Sequence, residues 1–186
     1  MSRITGDIDR MSVEEYLRVE ESADVRHEYV GGDVHALAGA SKRHNRVALN
    51  IGRALDEASR GRPCRVYMSD VKLRAADDLY YYPDVMVACG PEGADPFVEE
   101  APCVLVEITS PTTEAIDRRE KLLVYRRIEG LRSYLIVDQA SRRVDRHWRD
   151  DEGVWRHEVV GGTGRVNVPC PEVELRLDTI YERAGV

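Results

Sequence analysis

A chain of 186 residues, 42% hydrophobic and 33% charged, is long enough for a substantial core and has the composition of a globular protein. Its net charge of −7 argues against a protein that coats nucleic acid by bulk attraction, but not against a nuclease whose bound metal ions bring positive charge to the phosphate. No apolar stretch approaches the roughly 18 residues that span a bilayer, and Met1 to Asp7 lacks the apolar centre of a signal peptide. Cys64, Cys89, Cys103 and Cys170 are scattered without zinc or redox spacing. They read as buried thiols of a reducing cytosol, so a cytoplasmic protein without a membrane partner is expected.

In chain order, Ser12-Val13-Glu14-Glu15 has the form of a capping box and opens a short helix that carries Tyr16 and Leu17. His27 to Leu37 reads as a hairpin, because Gly31 and Gly32 can take the positive φ of a tight turn. Val47, Ile51, Ala54, Leu55 and Ala58 recur at helical spacing from Ser41 to about Ser59, and Gly61 and Pro63 close that helix. Three apolar runs follow: Cys64 to Leu73, Tyr80 to Ala88 and Cys103 to Thr109. They are separated by Asp77-Asp78 and by a loop holding Gly90, Pro91, Gly93 and Pro96. A helix is expected from roughly Thr113 to Glu129, then a strand from Ser133 to Val137. A second hairpin follows, Arg143 to Trp148 with Val154 to Val160, and Asp178 is expected to cap a last short helix. The order α-ββ-α-βββ-α-βββ, with no repeat or linker, describes one α/β domain over 1–186 around a mixed sheet. Its core lies at about 11–148, with a C-terminal hairpin and tail at 143–186.

One acid stands out. Apolar residues fill nearly every position of Cys103 to Thr109 without alternation, the mark of a strand buried on both faces, yet Glu107 lies inside it. An ionised carboxylate there costs several kcal/mol unless something compensates it, and a metal ion is one compensator. Asp84 is in a similar setting, directly after Pro83, whose fixed φ and missing N–H belong at a strand entrance. Two carboxylates on neighbouring strands can share a hard cation such as Mg²⁺ or Mn²⁺. The alternative is structural, with Asp84 capping a turn and Glu107 paired with an arginine. Lys121 follows Asp117 by four residues on one helix face. It is either half of an exposed ion pair or an ammonium that leans over the acids from a helix packed on the sheet.

Pro83-Asp84, then Glu107 in an apolar strand, then a helix, resemble the PD-(D/E)xK nuclease superfamily. More closely, the ordered set His27 to Val34, His44-Asn45-Arg46, Gly61 to Val66, Tyr80 to Val85, Val106 to Thr112, Asp117 to Tyr125 and Tyr134 to Asp138 is similar to the Uma-type putative restriction endonuclease family. The resemblance implies a restriction-endonuclease-like core, a mixed central β-sheet flanked by helices, with an N-terminal helix and hairpin. It implies Asp84 and Glu107 as ligands of Mg²⁺ (or Mn²⁺), Glu28 as a further carboxylate, DNA as the partner and a homodimer as the assembly. The superfamily's lysine normally stands two residues after the glutamate, and Thr109 holds that place here. The family resembled supplies its lysine from the following helix, which points to Lys121.

The expected function is a Mg-dependent endonuclease that hydrolyses DNA phosphodiester bonds with metal-activated water, using Asp84, Glu107, Lys121 and Glu28. The competing expectation, favoured by Thr109 and the acidic charge, is a non-catalytic nuclease-fold binding or assembly protein with a vestigial acidic cluster. Hydrolysis of some other phosphate ester is a third. His44, Lys42 and Arg46 lie where a helix begins and are candidate DNA contacts, set against a capping or solvated basic turn. Gln139 reads as a turn residue. Tyr80, Tyr81 and Tyr82 read as fillers of a sheet face rather than a platform for bases, and His147, Trp148 and Trp155 as cross-strand packing.

Overall fold

The computed structural model describes residues 10–109 and 117–186. Helix α1 (Val13–Glu20) starts at Ser12, whose hydroxyl accepts the Glu15 N–H at 3.2 Å. Strands β1 (His27–Val30) and β2 (Asp33–Ala36) form the first hairpin, turned by Gly31 and Gly32 at φ of 56° and 103°. Helix α2 (Lys42–Ser59) is capped by Ser41, which accepts the His44 N–H at 3.0 Å. Then come β3 (Arg65–Met68), β4 (Lys72–Ala76), β5 (Leu79–Tyr81), β6 (Val85–Ala88), β7 (Val98–Glu99) and β8 (Val104–Thr109). A π-helical turn, Asp117–Lys121, runs directly into α3 (Leu122–Tyr125). The chain ends with β9 (Ser133–Asp138), β10 (Arg143–Arg149), β11 (Trp155–Gly161), β12 (Arg165–Pro169), β13 (Glu172–Arg176) and α4 (Leu177–Ile180).

Six strands form the central sheet in the order β11-β10-β9-β8-β6-β3, with β8 parallel to β9 and antiparallel to β6. All six residues of β8 are buried, which explains its unbroken apolar run. Alternation along the strands sorts the core into two faces. Val104, Val106 and Ile108 join Val85, Val87, Leu135 and Val137 under Val47, Ile51 and Leu55 of α2, where β12, β13 and α4 also pack. Leu105 joins Met86, Tyr134 and Ile136 on the other face, against Tyr125 of α3 and against Leu73 and Tyr81. Those last two belong to a five-stranded sheet, β2-β1-β5-β4-β7, which brings β1 and its Glu28 towards the site. The Asn50 amide donates to the carbonyls of Ile180 (3.0 Å) and Glu182 (2.8 Å), fastening α2 to the C-terminal segment.

Several expectations are corrected. Cys64 to Leu73 is two strands, broken where Ser69 takes φ of 53°. Tyr80 to Ala88 is also two, because Pro83 cannot continue a ladder: β5 stays in the five-stranded sheet while β6 enters the central one. The helix expected to reach Glu129 stops at Tyr125 and unwinds through three-residue turns, Arg127 N–H to Val124 O and Ile128 N–H to Tyr125 O. Its expected start, 113–116, lies outside the described residues. Asp178 does not cap α4. The cap position is Arg176, and Asp178 sits in the first turn, 2.6 Å from Arg142 Nη2. The cysteines are not free thiols: Cys64 pairs with Cys89 and Cys103 with Cys170 as disulfides. Sequence spacing missed this because the strands, not the local sequence, bring them together. Among the described residues no helix is long and apolar enough to cross a membrane.

The division of α2 into a buried and an open face makes a direct prediction. Leu55→Ala, at a fully buried position, should cost about 2–5 kcal/mol in urea unfolding. Leu49→Ala, on the same helix but 46% exposed, should stay within about 0.5 kcal/mol of the parent chain. Equal losses at the two positions would contradict this packing.

Candidate active site

Register brings the two acids together. β6 and β8 pair Val85 with Val106, so one further step of that antiparallel ladder sets Asp84 opposite Glu107. Asp84 Oδ2 accepts the backbone N–H of Ile108 at 2.7 Å, and His44 Nε2 of α2 lies 3.2 Å from the same oxygen. Lys121 enters from the opposite face of the sheet. Its Nζ is 3.1 Å from Glu107 Oε1 and 2.8 Å from Glu28 Oε1. The Tyr125 hydroxyl donates to Glu107 Oε1 at 2.9 Å, and the Tyr82 N–H donates to Glu28 Oε1 at 3.4 Å. The Lys121 ammonium also stands 5.5 Å from the centre of the Tyr81 ring.

Glu107 and Lys121 are 4% and 6% exposed, so neither is a solvated surface charge. Lys121 is therefore not the exposed half of an ion pair, and the side chain of Asp117, its expected partner, lies outside the described residues. Among the described residues, Lys121 and Tyr125 contact Glu107. Lys121 is the last residue of the π-helical turn, a wider turn that changes the phase of the side chains after it and recurs at functional sites. Burial, then the Glu107 carboxylate, holds the Tyr125 phenol well above its usual pKa. Burial first, then Glu28, pushes Tyr81 up to about 12. Both phenols therefore keep their protons at neutral pH, and Tyr125 remains a donor to Glu107.

Glu28, His44, Asp84, Glu107, Lys121 and Gln139 line one cleft of about 680 Å³ at the ends of β6 and β8. With Asp70 and Arg26, which also line it, four carboxylates face one lysine, one arginine and one histidine there. Such a set of hard oxygen donors with an excess of negative charge fits Mg²⁺ or Mn²⁺, and none of the cleft's lining residues is a cysteine. Lys42 and Arg46 are exposed and stand outside the lining residues. Thr109 is buried, and its hydroxyl donates to the Val137 carbonyl at 3.4 Å, so the usual lysine position is turned to the sheet.

Some contributors escaped the sequence reading. Gln139 is more than a turn residue: its Oε1 accepts from the Ser41 hydroxyl at 2.6 Å, and its Nε2 donates to the Thr109 carbonyl at 3.2 Å. It thus ties the cap of α2 to the end of β8. Tyr125 could have been found from its place four residues after Lys121. The remaining aromatics pack. Tyr80, Tyr81 and Tyr82 are buried, and His147 stacks on His157 at 4.4 Å.

A mixed α/β fold with a restriction-endonuclease-like core and an acidic cleft at the ends of its central strands is the class that these features define. Residues 13–179 match the model of the Uma2 family, described as "Putative restriction endonuclease". The chain belongs to that family. Two proteins of Synechocystis sp., both described as uncharacterized, are similar to it. One, slr1290, is 31% identical over 175 residues, 92% of each chain. The other, sll1609, is 33% identical over 149 residues, 78% of this chain and 84% of its own. The crystal structure of a putative nuclease belonging to DUF820 from Anabaena variabilis shares the fold. It has a TM-score of 0.77 and 16% identity over 94% of this chain and 99% of that one.

The buried phenols set an alkaline limit. Unfolded tyrosine gives up its proton near the ordinary value of 10.0, whereas folded Tyr81 holds it to about 12 and burial holds Tyr125 well above the ordinary value too. Between those values the unfolded chain binds fewer protons, so stability is intact below pH 10.0 and falls as pH rises through the folded pKa. Each tyrosine contributes a slope of about 1.4 kcal/mol per pH unit. Urea midpoints should be level from about pH 7 to 9 and then decline, and Tyr81→Phe should make the decline shallower. A decline unaltered by both Tyr81→Phe and Tyr125→Phe would contradict this.

Proposed function

We propose that this protein is a metal-dependent endonuclease that hydrolyses DNA phosphodiester bonds. Asp84 and Glu107 hold Mg²⁺ or Mn²⁺, with Glu28 assisting directly or through water. The observation that carries this reading is the Lys121 ammonium set 2.8 and 3.1 Å from two carboxylates in the cleft that Asp84 also lines. Lys121 offers from a helix the positive charge that Thr109 cannot. The description of the family and the likeness of fold to a nuclease support the same class.

When bound, the metal supplies charge neutralisation at the phosphate and lowers the pKa of a water to make a nucleophile. The rest is the work of the chain. Lys121 orients the attacking water and stabilises the charge that builds on the phosphoryl oxygens. The Tyr125 hydroxyl and the Ile108 N–H fix the Glu107 and Asp84 carboxylates, so little ordering is left to do when the cation and DNA arrive. His44, 3.2 Å from Asp84 in the same cleft, is assigned to contact a DNA phosphate. The chain's negative charge keeps DNA out of the cleft until a cation is present. We assign the activity to residues 1–186 as one domain, working in the cytoplasm as a homodimer and leaving 5′-phosphate ends.

Supercoiled DNA, single-stranded DNA, RNA and a small phosphodiester, each incubated with the protein and Mg²⁺ or Mn²⁺, test this. DNA should be cut only with the metal. Asp84→Ala, Glu107→Ala and Lys121→Met should each slow the cut about a hundredfold or more, and Tyr125→Phe about tenfold. Cutting that is unchanged in Asp84→Ala and Glu107→Ala would overturn the site, and no DNA cut at all would leave the fold as a binding or assembly module.

A further inference from the structure

All four cysteines of the chain meet at the ends of β6 and β8 opposite the acidic cleft. Cys64 precedes β3, Cys89 follows β6, Cys103 precedes β8 and Cys170 sits in the turn from β12 to β13. The two disulfides are not separate staples. Cys89 Sγ lies 3.2 Å from Cys170 Sγ and 3.5 Å from Cys103 Sγ, across from one bridge to the other. The Sγ atoms of Cys64, Cys89 and Cys170 all fall within 4.8 Å of one another. Four thiolates at about 2.3 Å around a tetrahedral Zn²⁺ stand about 3.8 Å apart, close to those cross-bridge separations.

We propose that the reduced chain binds one Zn²⁺ through the thiolates of Cys64, Cys89, Cys103 and Cys170, and that the two disulfides are the oxidised, metal-free form of the same site. Four different segments deliver the ligands, so the ion clamps β3, β6, β8 and the β12–β13 hairpin together. Cys103 is buried and the other three are half-buried, so the sulfurs are partly accessible to a small oxidant. A closed set of four thiolates is a structural zinc arrangement, with no open position for catalysis. Oxidation by a peroxide balances. The four thiolates give up four electrons to two molecules of hydrogen peroxide, which take up four protons and become four waters, while two S–S bonds form and Zn²⁺ departs. In a reducing compartment the zinc form is the resting one. Cys89 is five residues from Asp84 and Cys103 four from Glu107 along extended chain, roughly 13–17 Å. The site therefore stands independently of the nuclease reading.

The test uses the whole chain, reduced with a phosphine under argon and titrated with Co²⁺ and then Zn²⁺. One equivalent of Co²⁺ should produce thiolate-to-cobalt charge-transfer absorption, and Zn²⁺ should displace it. Cys64→Ser, Cys89→Ser, Cys103→Ser and Cys170→Ser should each weaken binding about tenfold or more. Glu107→Gln should leave the band in place, since carboxylate-bound cobalt gives no such absorption. Hydrogen peroxide should then release the zinc to a chromogenic chelator, and peptide mapping should recover the 64–89 and 103–170 bridges. A reduced parent chain without the thiolate–cobalt band overturns the proposal, whatever the variants do. So does a band that survives unchanged in Cys103→Ser and Cys170→Ser.

Discussion

An ammonium buried between two carboxylates joins the two larger sheets of this protein at the cleft. Glu28 comes from the five-stranded sheet, Glu107 from the six-stranded one, and Lys121 from the end of the π-helical turn that runs into α3. None of the three is tolerable alone in that setting. An unpaired buried charge costs on the order of 3–5 kcal/mol, whereas the paired cluster is neutral enough to keep. Two carboxylates against one lysine still leave an excess of negative charge, and Asp84 adds to it from the neighbouring strand. The proposed metal site is thus built on the contacts that hold the two larger sheets together.

The two ends of β6 and β8 carry different chemistry. At one end carboxylates gather beside an open cleft, with Tyr125 holding Glu107 and the Ile108 amide holding Asp84. At the other end four sulfurs gather from four segments and close the sheet against the C-terminal hairpin. Hard oxygen donors suit Mg²⁺ or Mn²⁺ and soft thiolates suit zinc, so the two sites proposed on this one pair of strands would not compete for the same ion. A rigid clamp behind the sheet also serves a site whose carboxylates must hold their positions.

What the sequence revealed, and what it hid, follows from the range of each interaction. Glu107 was legible because one acid in an unbroken apolar run is a local anomaly, and Asp84 because Pro83 marks a strand entrance. That they face each other depends on the β6–β8 register, which no local pattern encodes. Lys121 was offered both by a helix expected to pack over the sheet and by family resemblance, but its seat between Glu28 and Glu107 depends on how two sheets and a π-helical turn come together, which no local pattern encodes. The Ser41–Gln139 bond spans 98 residues and the Cys103–Cys170 bridge 67; neither leaves a mark in sequence spacing. α2, the two long hairpins and β9 were found because their signals are capping, glycine turns and periodicity, all short-range. The β12–β13 hairpin was missed because each of its strands buries only one or two side chains.

A crystal of the protein soaked in Mn²⁺ and measured at the manganese absorption edge tests the central claim most directly. The account predicts an anomalous peak in the cleft bound by carboxylate oxygens of both Asp84 and Glu107, which disappears in Glu107→Gln. A cleft without manganese at saturating concentration, or an ion held without either acid, would contradict it.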